Sequence, residues 1–234
     1  MAKGIAQERT STGRRTRKSA ASTESGAASH RRAEIVRISA QLFAERGYKA
    51  TTVRAIGDAA GVLSGSLYHH FDSKEAIADE LFSSYFDDLF ATYQEIIESD
   101  AGPREIFSRL VRAAFESIER HHAAVIVLQN EQHYLREFPR FSYIDDRMRD
   151  VERLWTGVLQ DGIDAGVFRE GLNPKIVYRF VRDAIGTTAR WYRPNGPLKS
   201  QELAEQYLAM TLDGITVPRR RPRRPRSAAA SEGK

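Results

Sequence analysis

Apolar residues recur along most of this chain with the spacing of a helix. Ile35, Ile38, Leu42 and Phe43 fall at i, i+3, i+7 and i+8, which predicts an amphipathic helix over 31–46, stopped by Gly47. A long helix is predicted from about Lys74, with Ile77, Leu81, Phe82, Tyr85, Leu89, Tyr93 and Ile96 along one broad face. Further helices follow over 103–121, 122–136, 140–165, 174–192 and 200–215. Breakers lie between most of them, at Gly102-Pro103, Pro139, Gly166, Asn173-Pro174 and Pro194-Asn195-Gly196-Pro197. Pro103 and Pro174 suit a first helical turn, where a locked φ and a missing donor cost nothing. No segment sustains the period of two that marks a strand, and no internal repeat occurs. The predicted class is all-α.

Residues 51–71 break this regularity. They read as two short helices joined by a tight turn at Gly61, a helix-turn-helix. Thr51 is the expected N-cap of the first, accepting the amide hydrogen of Arg54. Val53, Ile56 and Ala60 share one face, and Val62, Leu67 and Phe71 close the same small core from the second helix. What is left on the second helix is Ser64, Gly65, Ser66, Tyr68 and His69. Small residues let a backbone approach DNA, and Ser, Tyr and His reach base edges or phosphates, so this face suits a major groove. Thr51, Thr52 and Arg54 at the start of the first helix are expected on phosphates. The next helix opens with a D-x-x-E capping box at Asp72-Ser73-Lys74-Glu75, and Lys74 is expected to add a phosphate contact.

Charge supports the same orientation. The net charge of +5 is uneven: residues 30–74 carry seven Lys/Arg against four acids, whereas residues 75–217 carry sixteen against twenty-four. Phosphate attracts the first segment and repels the second. Residues 1–29 and 218–234 are basic and poor in large apolar residues, so both are expected to be disordered; they either hold DNA non-specifically or only solubilise. The helix-turn-helix domain is assigned to 30–75 and a helical body to 76–217. With 41% apolar and 29% charged residues the composition is globular, and the absence of cysteine excludes disulfides and thiolate chemistry. No apolar run approaches a membrane span and no secretory signal is present, so the expected compartment is the cytoplasm, at the nucleoid. His69-His70 and His121-His122 are adjacent pairs that diverge by about 100° on a helix and do not chelate alone. Asp87-Asp88 and Asp145-Asp146 read as solvated faces. With no P-loop, G-x-G-x-x-G or G-x-S-x-G either, no catalytic site, metal or cofactor is expected, and the chain is not expected to be an enzyme.

The motif resembles the signature of the TetR family, T-x-x-x-I-A-x-x-A-G-V-S-x-G-x-L-Y-x-H-F-x-S-K-E. The matching residues are Thr52, Ile56, Ala60, Gly61, Val62, Gly65, Leu67, Tyr68, His70, Phe71, Ser73, Lys74 and Glu75. The chain departs at Gly57, where alanine is usual, and at Leu63, where a polar cap is usual. The resemblance implies a three-helix reading domain, a six-helix effector-binding body, and a homodimer through the last two long helices, 174–192 and 200–215. It implies a repressor that holds a palindromic operator in double-stranded DNA until a small molecule binds.

The apolar pocket so implied draws on an aromatic-rich body, in which Tyr134, Phe138, Trp155 and Trp191 are candidate ligand contacts. Arg182 either pairs with Asp183 or stands at the pocket mouth against an anionic effector. Segments 63–71, 141–147, 178–183 and 190–198 further resemble a subgroup of actinobacterial repressors of late steroid-ring catabolism, whose effector is a coenzyme A thioester. There an arginine matching Arg182 and a tryptophan four residues later serve the ligand. Here the later position is Gly186, which implies a larger or differently closed pocket. The alternatives at this point are an activator or a less specific DNA-binding regulator with another hydrophobic effector, and a small helical enzyme acting on acyl-CoA.

Overall fold

The computed structural model describes residues 13–217, and over them the chain is all-α. Its helices are α1 (Gly13–Arg46), α2 (Val53–Ala60), α3 (Ser64–Leu67), α4 (Lys74–Ile97), α5 (Pro103–Arg120), α6 (His122–Leu135), α7 (Tyr143–Asp164), α8 (Pro174–Thr188) and α9 (Ser200–Ile215), with a 3-10 turn at Pro139–Phe141 between α6 and α7. The expected N-terminal helix-turn-helix and six-helix body are both present. The tail 218–234 and residues 1–12 of the N-terminal extension lie outside the described residues. Residues 13–29, expected to be disordered, instead continue α1. Alanine, arginine and lysine are strong helix formers, and a helix anchored at its far end extends at little cost.

The chain packs around two apolar clusters strung along α4. Ile77, Ala78, Phe82 and Phe86 belong to the first, with α1–α3; Leu89 and Tyr93 belong to the second, with α5, α7, α8 and α9. With twenty-four residues, α4 is a beam roughly 36 Å long that joins both. The first cluster also takes in Ala124, Val127, Leu128 and Leu135 of α6, then Phe141 and Ile144. The reading head therefore does not close at residue 75, as the 30–75 boundary implied. Its base is built from the body.

Two local results differ from the expected pattern. Helix α8 ends at Thr188 rather than 192, because Gly186, Thr187 and Thr188 are poor helix formers and the amide of Ala189 turns back on Gly186 and Thr187. The end of α9 is tied to the α7–α8 turn by an antiparallel bridge between Phe168 and Thr216. Arg169 reinforces it, donating to the carbonyls of Thr216 (3.2 Å) and Asp213 (2.9 Å). Among the described residues no helix is long and apolar enough to cross a membrane.

Candidate nucleic-acid interface and effector cavity

The turn between α2 and α3 is set by two glycines. Gly61 ends α2 at φ 66°, where a side chain would be strained, and its amide turns back to the carbonyl of Asp58. Gly57 is the closer constraint: a Cβ there would stand 3.0 Å from the carbonyl oxygen of Val62. The alanine usual in the resembling signature would push the two helices apart. Below the turn, Leu67 and Phe71 are buried, and the guanidinium of Arg32 lies 3.9 Å above the Phe71 ring while bonding Glu80 and the carbonyl of His70.

Above the turn, Thr52, Arg54, Gly65, Tyr68 and His69 are exposed, and Ser64 and Ser66 are half-buried. The Arg54 side chain is 88% exposed and only loosely paired with Asp58 at 4.0 Å, which leaves it available to a phosphate. Leu63 precedes α3 without any side-chain cap bond and is 81% exposed. Read from sequence as a missing cap, it is an apolar tip beside the polar reading face, suited to a thymine methyl.

Two expected phosphate contacts are placed elsewhere. Thr51 is buried, and its hydroxyl donates to the carbonyls of Gly47 (2.8 Å) and Leu42 (3.3 Å); the cap of α2 is Thr52, which accepts from the Ala55 amide at 3.1 Å. Lys74 points inward, donating to the carbonyls of Tyr48 (2.9 Å) and Thr51 (3.0 Å) from above the Tyr48 ring. Burial lowers its pKa. Lys74 thus pins the α1–α2 turn to α4. The cap of α4 is Ser73 rather than Asp72, accepting from the Ala76 amide at 3.2 Å.

Behind the reading head, α4–α8 enclose a cavity of about 630 Å³. Its interior is apolar, with Leu89 and Tyr93 from α4, Ile118 from α5, Trp155 from α7, and Tyr178 and Ile185 from α8. Burial pushes the Tyr178 hydroxyl up to about 12, so it stays protonated. The rim is charged: Arg136, Arg149, Arg182 and Arg190 stand with Asp145, Glu152 and Asp183. Arg182 pairs with Asp183 at 2.8 Å while bordering the cavity, so both readings of it hold together.

Trp155 and Gly186 also line the cavity, as expected. The room left by Gly186 is taken: a Cβ there would meet Gln129 Nε2 at 2.5 Å. Tyr134, Phe138 and Trp191 do not line it. Tyr134 and Phe138 pack on Tyr48 at ring distances of 6.1 and 6.4 Å, because α6 supports the reading head at that point. Trp191 is 55% exposed beyond the end of α8, and its neighbour Tyr192 enters the core instead. Arg136, Arg149, Gln129 and Ser117 were missed, since only the fold brings α5–α8 together. Among the described residues no cluster of His, Asp or Glu is placed to hold a metal.

Two carboxylates in these regions lie below their usual range. For Asp145, the hydrogen bonds and charge of Arg136 outweigh partial burial. For Glu75, burial acts upward, but bonds from its own amide, Ser73 and Tyr48, with the charge of Lys74, bring it down. A depressed carboxylate stabilises the fold above its unfolded value and loses that contribution as pH falls. The melting temperature is expected to drop between about pH 6 and about pH 3, and Asp145→Asn to flatten part of that slope in pH-resolved calorimetry.

A helix-turn-helix mounted on the beam that also walls an apolar cavity defines a ligand-responsive DNA-binding regulator. The chain belongs to the TetR family: residues 35–81 match "Bacterial regulatory proteins, tetR family" and residues 100–215 match "Tetracyclin repressor-like, C-terminal domain". It is similar to the transcriptional repressor KstR2 of Mycobacterium tuberculosis, at 51% identity over 82% of this chain and 96% of that protein. The solved structure of that ketosteroid regulator superposes with a TM-score of 0.78 over 80% of this chain and 96% of the other. KstR2 of Rhodococcus jostii is 45% identical over 81% and 93% of the two chains. The fold alone is shared with AibR, solved with isovaleryl coenzyme A and operator DNA, at 21% identity and a TM-score of 0.68 over 77% and 97% of the chains. The chain is thus a TetR-type transcriptional repressor, a DNA-binding regulator rather than an enzyme.

Proposed function

We propose that this repressor controls genes of steroid-ring breakdown, binds a palindromic operator as a homodimer in the cytoplasm, and releases it when a coenzyme A thioester fills the cavity. The observation that carries this reading is the cavity itself. It is apolar within, ringed by arginines at its mouth, and walled by the same helix whose start carries the reading motif. Its volume suits one small acyl group, and the arginines suit the phosphates of an anionic carrier. The resemblance to KstR2, a ketosteroid regulator by its name, supports the steroid class.

Release follows from the shared beam. Tyr85, Leu89 and Tyr93 face the cavity from α4, and Ile77 and Phe82 hold the reading head on it. A ligand that displaces α4 moves the head, and the coupling is reciprocal between operator and effector. The dimer is supported by apolar side chains left exposed on α8 and α9: Ile176 at 51%, Phe180 at 72% and Met210 at 74%. Burying them against a twofold-related copy yields two heads on one DNA face, hence a palindrome.

Footprinting tests the DNA half of the reading. One protected palindrome is expected, with Tyr68→Ala and His69→Ala each weakening it by about tenfold, as for a lost base or phosphate contact. Leu63→Ala is expected to relax preference at one thymine. Protection that ignores sequence and yields to any competitor DNA contradicts operator recognition and favours non-specific binding.

A further inference from the structure

The cavity carries polar groups that its apolar lining does not explain. Ser117, on α5, lines it, is 4% exposed, and has a hydroxyl that meets no hydrogen-bond partner. A buried hydroxyl left unpaired is unfavourable, so a native one facing a cavity calls for a partner within it. Gln129, on α6, lines the same cavity, and its amide makes no hydrogen bond among the described residues. By contrast Gln132 is engaged, donating to Asp145 at 3.3 Å. The Gln129 amide lies against α8 at Gly186, where any Cβ would stand 2.5 Å from its Nε2. Glycine at 186 is what lets that amide occupy the cavity wall.

We infer that the apolar part of the effector bears a carbonyl or hydroxyl oxygen, received by the Gln129 amide and the Ser117 hydroxyl, and that these two residues select oxygenated acyl groups over plain hydrocarbon ones. The inference rests on the proposed reading of this cavity as the effector site, and adds which acyl groups it accepts. A hydrocarbon of the same shape fills the cavity but strands both polar groups. An oxygenated one pairs them, and discrimination by a site built to hydrogen-bond exceeds that of shape alone. The arginines of the mouth hold the anionic end in either case and contribute nothing to this choice.

Calorimetry on the full chain, with cyclohexylpropanoyl-CoA and the same thioester bearing a ring ketone, tests it. Wild type is expected to bind the ketone at least about tenfold more tightly. Gln129→Leu, close in volume, is expected to bring that ratio near one without weakening the hydrocarbon thioester, and Ser117→Ala to reduce it. Gly186→Ala displaces the amide and acts in the same direction. Thermal melts of each variant report whether the fold is intact. Equal binding of the two thioesters by wild type, or an unchanged ratio in both Gln129→Leu and Ser117→Ala, overturns the inference. If neither thioester binds but the free keto acid binds better than its hydrocarbon counterpart, the coenzyme A reading fails and the selector stands. If none of the four binds, both fail.

Discussion

Tyr48→Ala is expected to lower stability by about 4 kcal/mol, the scale of removing a large buried ring. Tyr48 is fully buried, and Phe43, Tyr134, Phe138 and Phe141 surround it at ring distances of 5.1 to 6.4 Å. Its hydroxyl donates to Glu75 at 3.3 Å, and the Lys74 ammonium stands 4.3 Å from its ring centroid. Burial pushes the hydroxyl above its usual range, so the phenol stays a donor. Truncation therefore leaves a cavity at the joint of α1, α4 and α6 and loosens the base of the reading head. Tyr48→Phe keeps the ring and loses one bond, at about 1 kcal/mol. Urea denaturation separates the two, and operator affinity is expected to fall with stability in the alanine variant.

Gly162→Ala is expected to cost about 2–3 kcal/mol despite adding one methyl group. A Cβ at 162 would lie 2.1 Å from the ring of Phe168, which is fully buried and bridged to Thr216 at the end of α9. The ring cannot swing aside, because its backbone is held by that bridge and by the bond from its amide to Gly162. The strain passes to the end of α9, one of the two helices assigned to the dimer. Differential scanning calorimetry is expected to show a lowered melting temperature. Gly157→Ala, on the same helix with open space at its Cβ, is expected to show no such loss.

These two positions also mark what the sequence made legible. Periodicity located nearly every helix, and the helix-turn-helix was readable because its contacts are local and its spacings dense. Which of two neighbours performs a task was not. Thr51 and Thr52 are chemically alike, and only the path of the chain from Gly47 turns the first inward and the second to the cap. Lys74 was misplaced because the carbonyls it bonds belong to Tyr48 and Thr51, far back in the chain. Tyr134 and Phe138 were assigned to the cavity because an aromatic-rich helix does not declare which neighbour it packs on. Arg182 and Gly186 were found through family resemblance rather than through any pattern in the residues. Gln129, the partner that explains Gly186, lies on another helix and carried no signal of its own.

The central claim is that one chain holds its operator with α2 and α3 and gives it up when the cavity behind them fills. Fluorescence anisotropy on a labelled operator, titrated with coenzyme A thioesters, tests it most directly. A steroid-ring acyl thioester is expected to raise the operator Kd at least about tenfold, and Arg182→Met to blunt that response. Operator affinity indifferent to every thioester, or a response in Arg182→Met equal to wild type, would contradict it.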